Sequence, residues 1–108
     1  MARKRQLVLL KLEDADDRAS PTVPLGRMRD VLDIAARFNT APDGTEGAGS
    51  THILHGPGVV MEIAPGDGEV RQALVTCNDE ELAWPILRGI CKAGGWTMQD
   101  IESGAMFG

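Results

Sequence analysis

The chain has few aromatic residues and no tyrosine. Two tryptophans and two phenylalanines are its only aromatic side chains, 4% of 108 residues, whereas apolar residues make up 43%. A core must therefore be built from Val, Ile, Leu and Met, with the four aromatic rings as its few large anchors. The length is typical of one domain, so we expect residues 1–108 to form a single domain.

Cysteine is also scarce, which excludes a disulfide scaffold. Cys77 ends a predicted strand and Cys91 lies in the last turn of the following predicted helix. A rise of 1.5 Å per residue separates them by about 20 Å, and a disulfide needs about 5–6 Å between Cα atoms. We therefore expect two buried thiols.

Long apolar runs are missing. The apolar run at residues 7–10 meets charged residues at once and does not resemble a signal peptide. No stretch approaches the length of a membrane span. These observations predict a cytoplasmic protein without membrane association.

Basic residues are scarce after residue 37. Residues 38–108 carry three basic residues against ten acidic ones, whereas residues 1–37 carry eight basic and six acidic residues. A nucleic-acid surface needs a basic face, so we expect no nucleic-acid partner. The one basic cluster, at residues 3–5, is expected to belong to a solvated basic tail over residues 1–5.

Motifs for phosphate binding, nucleophilic catalysis and zinc are absent from the sequence. It contains no G-x-G-x-x-G, no GK[ST] and no G-x-S-x-G. Zinc signatures built from cysteines or from a helical pair of histidines are also missing. We expect no cofactor and no metal.

The N-terminal half predicts a strand, a helix and a loop. Residues 6–12 are apolar and bounded by charges, which is typical of a buried strand. A helix is predicted from Pro24 or Leu25 to Asn39, because apolar residues recur there at three- and four-residue spacing. Residues 40–50 are glycine-rich and lack large apolar side chains, which predicts a flexible loop. The stripe of the helix comprises Met28, Val31, Leu32, Ala35 and Phe38.

The middle of the chain predicts strands. Residues 59–63 predict a strand, residues 65–68 a hairpin turn, and residues 70–77 a strand that returns antiparallel. Residues 51–55 are either a separate strand or the start of a longer bent one. Gly56-Pro57-Gly58 then forms a bulge or a tight turn.

A second helix and a last strand, at residues 96–101, complete the chain. Asn78 and Glu81 match a capping pattern, and Gly94-Gly95 signals the helix end. Pro85 removes one helical hydrogen bond at a cost of about 3 kcal/mol, so the helix either begins near Trp84 or is kinked. The predicted apolar stripe comprises Leu82, Ile86, Ile90 and Ala93, and it is widened by Leu87 and Cys91.

The element order is therefore β-α-β-β-α-β. This order, with a hairpin in its middle, resembles the ferredoxin-like arrangement. Right-handed crossovers would place both helices on one face of a four-stranded antiparallel sheet. The resemblance implies an α+β fold and no function, because this fold hosts many unrelated functions.

Two histidines and a carboxylate form the first candidate site. His52 and His55 lie three residues apart, and Glu62 follows them. Residues three apart on a regular strand point to opposite faces, so only a bend after Leu54 would bring both rings together. His55 can act as a general base near neutral pH, with Glu62 as its partner. Ordinary surface or loop-packing histidines are the favoured interpretation.

The Trp84-Pro85 pair and two glycines are candidate binding elements. Trp84 beside Pro85 is either a core or rim anchor or an exposed contact in a partner interface. Gly56 and Gly58, with His52 close by, could present backbone N–H groups to a ligand. Simple turn roles are favoured for the glycines.

We favour a binding module over an enzyme. We expect a small soluble module that acts by binding another protein or a small ligand and that forms a homo-oligomer. The sheet face left open by the helices would pair two subunits if Val59, Met61 or Ile63 lie on it.

The alternative is a small enzyme on the same open face. His55 would be its acid/base residue, the loop at 41–50 a lid, and Glu62 or Asp100 the partner carboxylate. A third hypothesis, a regulatory ligand-binding domain, rests on analogy with βαββαβ sensors alone.

Overall fold

The computed structural model describes residues 5–14, 16–41, 51–64 and 68–107. These residues form an α+β fold with two helices, as the sequence predicts. The elements are β1 (Arg5–Leu12), β2 (Thr22–Val23), β3 (Gly26–Arg27), α1 (Met28–Ala36), β4 (His52–Gly56), β5 (Val59–Ile63), β6 (Glu69–Val70), β7 (Ala73–Cys77), α2 (Glu80–Gly94), β8 (Thr97–Asp100) and β9 (Met106–Phe107).

Seven of the strands form one antiparallel sheet. Its order is β4-β5-β7-β1-β8-β9, and β2 pairs with the C-terminal end of β1. The two remaining strands, β3 and β6, pair with each other. The sheet is thus larger than the four strands predicted, because short segments at both edges and beside β1 also find partners.

One face of the sheet packs against both helices. Leu7 and Leu9 of β1 and Val75 of β7 are fully buried in the core that also contains residues of α1 and α2. Val59, Met61 and Ile63 belong to the same core. These three residues therefore do not meet the condition set for pairing through the open face, because alternation along β5 places the other positions there.

The first helix is shorter than predicted at its start. Residues 26 and 27 pair with β6 instead of joining the helix, and Arg27 is its N-cap. At the other end Asn39 has a positive φ of 58°, and the Thr40 N–H donates to the Ala35 carbonyl at 3.1 Å. Asn39 therefore lies in a Schellman-type turn, and the helix itself ends at Ala36, three residues before the predicted end. The predicted stripe packs against the core.

The N-cap of the second helix lies one residue after the predicted one. Asp79 is the N-cap, and its carboxylate accepts from the Glu81 and Leu82 N–H groups. Leu87, Ile90 and Cys91 of the predicted stripe are buried, whereas Leu82 is 55% exposed. Pro85 lies inside one continuous helix, so the alternative start near Trp84 is wrong. The buried residues of α2 are Ala83, Leu87, Ile90 and Cys91.

The predicted strand at 70–77 is two strands. Val70 pairs with Gly26, and its carbonyl accepts from the Leu25 N–H at 2.7 Å. Only β7 continues into the large sheet, where it lies between β5 and β1. Residues 52–56 are a separate strand joined to β5 by the turn at Pro57-Gly58.

Large side chains and cysteines lie where the sequence predicts. Trp96 is 3% exposed, and its indole N–H donates to the Leu25 carbonyl at 3.2 Å. Cys77 and Cys91 are both buried and free. Neither helix of the described chain is long and apolar enough to cross a membrane.

Two predicted segments fall mostly outside the described residues. These are the basic tail, of which only Arg5 is described and forms the start of β1, and the loop at 40–50. Thr40 is buried, and Ala41 exchanges two backbone hydrogen bonds with His55. The predicted turn at 65–68 is described only at Gly68.

Candidate functional site

A pocket of about 600 Å³ lies between α2 and β9. Helix α2 supplies most of its walls, β9 supplies two residues, and the segment between β1 and β2 supplies one. The pocket thus joins three parts of the chain that are far apart in sequence. Its lining residues are Arg18, Trp84, Arg88, Gly89, Cys91, Lys92, Met106 and Phe107.

An aromatic pair forms one wall of the pocket. Trp84 and Phe107 meet edge to face, with their ring centroids 5.2 Å apart and an interplanar angle of 83°. The Arg5 guanidinium carbon lies 5.4 Å from the Trp84 centroid and 5.1 Å from the Phe107 centroid. Both distances are within cation–π range. The rings are therefore held by each other and by a cation, which limits their rotation.

The Arg5–Asp100 ion pair holds this wall in place. Arg5 Nε donates to Asp100 Oδ2 at 2.7 Å, and Asp100 is 7% exposed. The other carboxylate oxygen accepts from the Glu102 and Ser103 N–H groups at 2.8 and 3.1 Å. The carboxylate therefore organises the turn between β8 and β9, and this turn delivers Phe107 to the pocket.

The hydrogen bonds of this pair shift the pKa of both partners. The bond from Arg5 and those from the turn N–H groups lower the pKa of the Asp100 carboxyl, because they stabilise its charged form. The bond to Asp100 raises the pKa of the Arg5 guanidinium. Glu80 lies 3.6 Å from the same guanidinium and adds a further attraction. The ion pair is thus charged throughout the physiological pH range.

Three cations surround the pocket. Arg88 and Lys92 are exposed and lie one turn apart on α2, while Arg18 approaches from the segment after β1. Arg18 donates one N–H to the Met106 carbonyl at 2.8 Å. Within the described residues, none of the three cations forms an ion pair, and no carboxylate lines the pocket. Its charge is therefore positive in a chain with a net charge of −5.

The inner side of the pocket is formed by small and sulfur-containing residues. Gly89 packs against the Phe38 ring of the segment that follows α1. Burial raises the pKa of the Cys91 thiol to about 12, so this group is a neutral apolar surface at neutral pH and not a nucleophile.

The structure separates the predicted histidine site from this pocket. His55 is half-buried on the sheet face opposite the helices, where it pairs with Val60. Glu62 is exposed on the same face at the diagonal position, which corresponds to about 7–8 Å between Cα atoms. His52 lies on the other face of the strand, as alternation predicts. The described residues contain no group of three His, Cys, Asp or Glu that could hold a metal.

The predicted binding residues have different positions. Trp84 lines the pocket, whereas Pro85 is exposed on α2 and does not. Gly56 packs against Thr40 with no space for a Cβ atom. Gly58 has a φ of 68°, and its carbonyl accepts from the Asn78 and Asp79 N–H groups. A turn and close packing account for both glycines.

Sequence reasoning missed most of the pocket. Only the four-residue spacing of Arg88 and Lys92 on a predicted helix was a visible signal for a charged patch. Arg18, Met106 and Phe107 carry no local signal, because tertiary contacts alone bring them to α2. Comparisons with protein-family models, with curated proteins and with solved structures found no match.

Proposed function

We propose that this protein is a small binding module whose pocket between α2 and β9 takes a small anionic ligand with an apolar body. The observation that carries this proposal is the convergence of three cations on one aromatic wall. Ligand pockets combine an apolar lining with a few placed polar groups, and the volume of about 600 Å³ is in the usual range for such pockets.

The charge of the pocket supports an anion. Arg88 and Lys92 repel each other at a spacing of four residues, which costs a few tenths of a kcal/mol in a helix. No carboxylate of the described chain relieves this repulsion. An anion bound between them and Arg18 would replace the repulsion by charge-assisted hydrogen bonds, which are stronger than neutral ones.

The lining also favours binding over catalysis. Among the described residues that line the pocket there is no His, Asp, Glu, Ser or Thr, which are common acids, bases and nucleophiles. The Cys91 thiol is protonated at neutral pH.

Calorimetric titration with two probes of similar size and opposite charge tests the proposal. We expect phenylacetate to bind and benzylamine not to bind. The double variant Arg88→Gln/Lys92→Gln is expected to lose phenylacetate binding, whereas Arg71→Gln, an exposed cation outside the pocket, is expected to keep it. Equal binding of both probes, or no effect of the double variant, would contradict the proposal.

For the fold we propose the ferredoxin-like arrangement as the core of the larger sheet. The order β5-β7-β1-β8 with antiparallel neighbours supports it, as does the chain order of these strands and the two helices. An experimental structure with a left-handed connection from β1 to β5 or from β7 to β8 would contradict it.

Self-association through the open sheet face stays a prediction. Apolar and half-buried side chains on that face support it, namely Val8, Leu74, Val60 and Ile53. Light scattering at high micromolar concentration tests it, and a monomer of 11.6 kDa is the contradicting result. The cytoplasmic location also stays a prediction.

The alternative of an enzyme with His55 as acid/base stays a prediction as well. The placement of His55 and Glu62 on one face of the β4–β5 pair supports it. Its test is a hydrolase activity screen in which His55→Gln abolishes any activity found and leaves the unfolding temperature unchanged.

A further inference from the structure

The pocket contains more positive charge than a singly charged ligand neutralises. The inference drawn from this charge rests on the proposed function, and it specifies the class of anionic ligand that the pocket binds. We propose that the ligand joins a planar ring to a phosphate dianion, either directly, as in an aryl phosphate, or through a sugar, as in a nucleoside monophosphate.

The charge of the pocket supports the dianion. Arg18, Arg88 and Lys92 contribute three positive charges, and no acidic residue of the described chain lines the pocket. A phosphate monoester carries about −1.5 to −2 charges at pH 7 and three strong acceptor oxygens. A carboxylate has one charge and two oxygens, so it neutralises one of the three positive charges, whereas the phosphate neutralises up to about two and has an acceptor oxygen for each cation.

The two arginines match the geometry of phosphate. A guanidinium is a planar fork that binds phosphate through two parallel N–H groups. Arg18 uses one of its N–H groups for the Met106 carbonyl, and this bond holds the guanidinium beside β9. Arg88 and Lys92 approach from α2, so the phosphate would be gripped from two sides of the pocket.

The aromatic wall supports the planar ring. Trp84 is fixed by the edge-to-face contact with Phe107 and by Arg5, whose charge is in turn held by Asp100. A flat surface that is already ordered loses little conformational entropy when a ring stacks on it. The volume of about 600 Å³ is also far larger than inorganic phosphate needs, so it has room for an apolar body beside the phosphate.

Calorimetry at pH 8 with four probes tests the proposal on the full chain. The probes are phenyl phosphate, phenylacetate, inorganic phosphate and adenosine 5′-monophosphate. We expect phenyl phosphate to bind at least about 10-fold more tightly than either phenylacetate or inorganic phosphate, because each comparison removes a charge-assisted hydrogen bond or the stacked ring. Tighter binding of the nucleotide would identify a free nucleotide as the source of the ring, and tighter binding of phenyl phosphate a benzene-type ring.

Two variants separate the contributions of charge and ring. Arg88→Gln/Lys92→Gln is expected to lower the affinity for phenyl phosphate to the affinity that the wild-type protein has for phenylacetate, or below it. Trp84→Leu is expected to lower the affinity for phenyl phosphate and to leave the affinity for inorganic phosphate unchanged. Because Trp84 also contacts the core, a thermal scan checks that Trp84→Leu is folded. If Trp84→Leu does not fold, the test rests on Arg88→Gln/Lys92→Gln, whose two positions are exposed.

The outcomes distinguish this inference from the proposed function. Equal affinities for phenyl phosphate and phenylacetate, both lost in the double variant, would overturn the dianion and leave the anion-binding module standing. If inorganic phosphate binds as tightly as phenyl phosphate, the inference that the ligand contains a planar ring is wrong. Absence of binding by all four probes would overturn both proposals.

Discussion

The contact between Gly89 and Phe38 offers a sensitive test of how the two helices pack beneath the pocket. A Cβ atom at position 89 would lie 2.9 Å from Cδ1 and 3.0 Å from Cζ of the Phe38 ring, and closer still to Cε1. Real Cβ atoms do not approach other atoms to this extent, so Gly89→Ala must displace the ring or the helix.

Two opposite effects decide the size of the change. Alanine is more favourable than glycine by about 1 kcal/mol in a helix interior. Insertion of a methyl group into a packed contact costs about 1–3 kcal/mol. We therefore expect Gly89→Ala to lower the free energy of unfolding by about 1 kcal/mol in spite of the gain in helix propensity.

A double-mutant cycle isolates the steric contribution. In a Phe38→Ala background the ring is absent, so the same Gly89→Ala change is expected to stabilise the protein by up to about 1 kcal/mol. The coupling between the two positions is then about 1–3 kcal/mol. The exposed neighbour Arg88 supplies the calibration, because Arg88→Ala and Arg88→Gly differ mainly in helix propensity.

Urea unfolding followed by circular dichroism measures all of these variants. The reasoning is refuted if Gly89→Ala stabilises the protein equally with and without the Phe38 ring. That result would mean that α1 does not pack on α2 at this glycine, and the inner side of the pocket would be wrongly placed.

Three further predictions follow from burial and charge. Leu87→Ala is expected to lower the free energy of unfolding by about 2–5 kcal/mol, because Leu87 is fully buried. Leu82→Ala, at a position that is 55% exposed, is expected to change it by less than about 0.5 kcal/mol. Equal losses of the two variants in chemical denaturation would contradict the observed buried face of α2. The lowered pKa of Asp100 stabilises the folded state above the ordinary carboxyl value of about 4, and this stabilisation is lost as the pH falls through the lower folded value. The melting temperature of the wild type should therefore exceed that of Asp100→Asn at pH 7, with a gap that closes in acid; a gap independent of pH would contradict the role of the Arg5 pair. Cys91, with burial raising its pKa to about 12, is expected to react with a thiol reagent only after unfolding, and rapid labelling of the native protein would refute its burial.

Local chemistry accounts for the features that the sequence predicted correctly. The end of α2 follows from Gly95, whose φ of 69° suits a residue without a side chain. The apolar stripe of α1 follows from helical periodicity, which depends only on spacing along the chain. The burial of Trp96 follows from the scarcity of large aromatic side chains in a domain of this size.

Errors occurred where two local signals competed. Asn78 and Asp79 are both good N-cap residues, and the structure uses Asp79. Leu82 of the predicted stripe is exposed, whereas its neighbour Ala83 is buried. Residue 70 fits a strand, but its partner Gly26 belongs to a separate small sheet. In both cases packing against distant residues selects between alternatives that are nearly equal in the local sequence.

The sequence by itself determined the class of the fold, the number of helices, the burial of both cysteines and the lack of a disulfide. Only the tertiary structure decided the pocket. It brings Arg5 to Asp100 and Arg18 to Met106, pairs that are 95 and 88 residues apart in the chain. Periodicity and capping act over one or two turns, whereas an ion pair or a ring contact forms wherever the folded chain brings its partners together. The site therefore depends on long-range packing that no local pattern encodes.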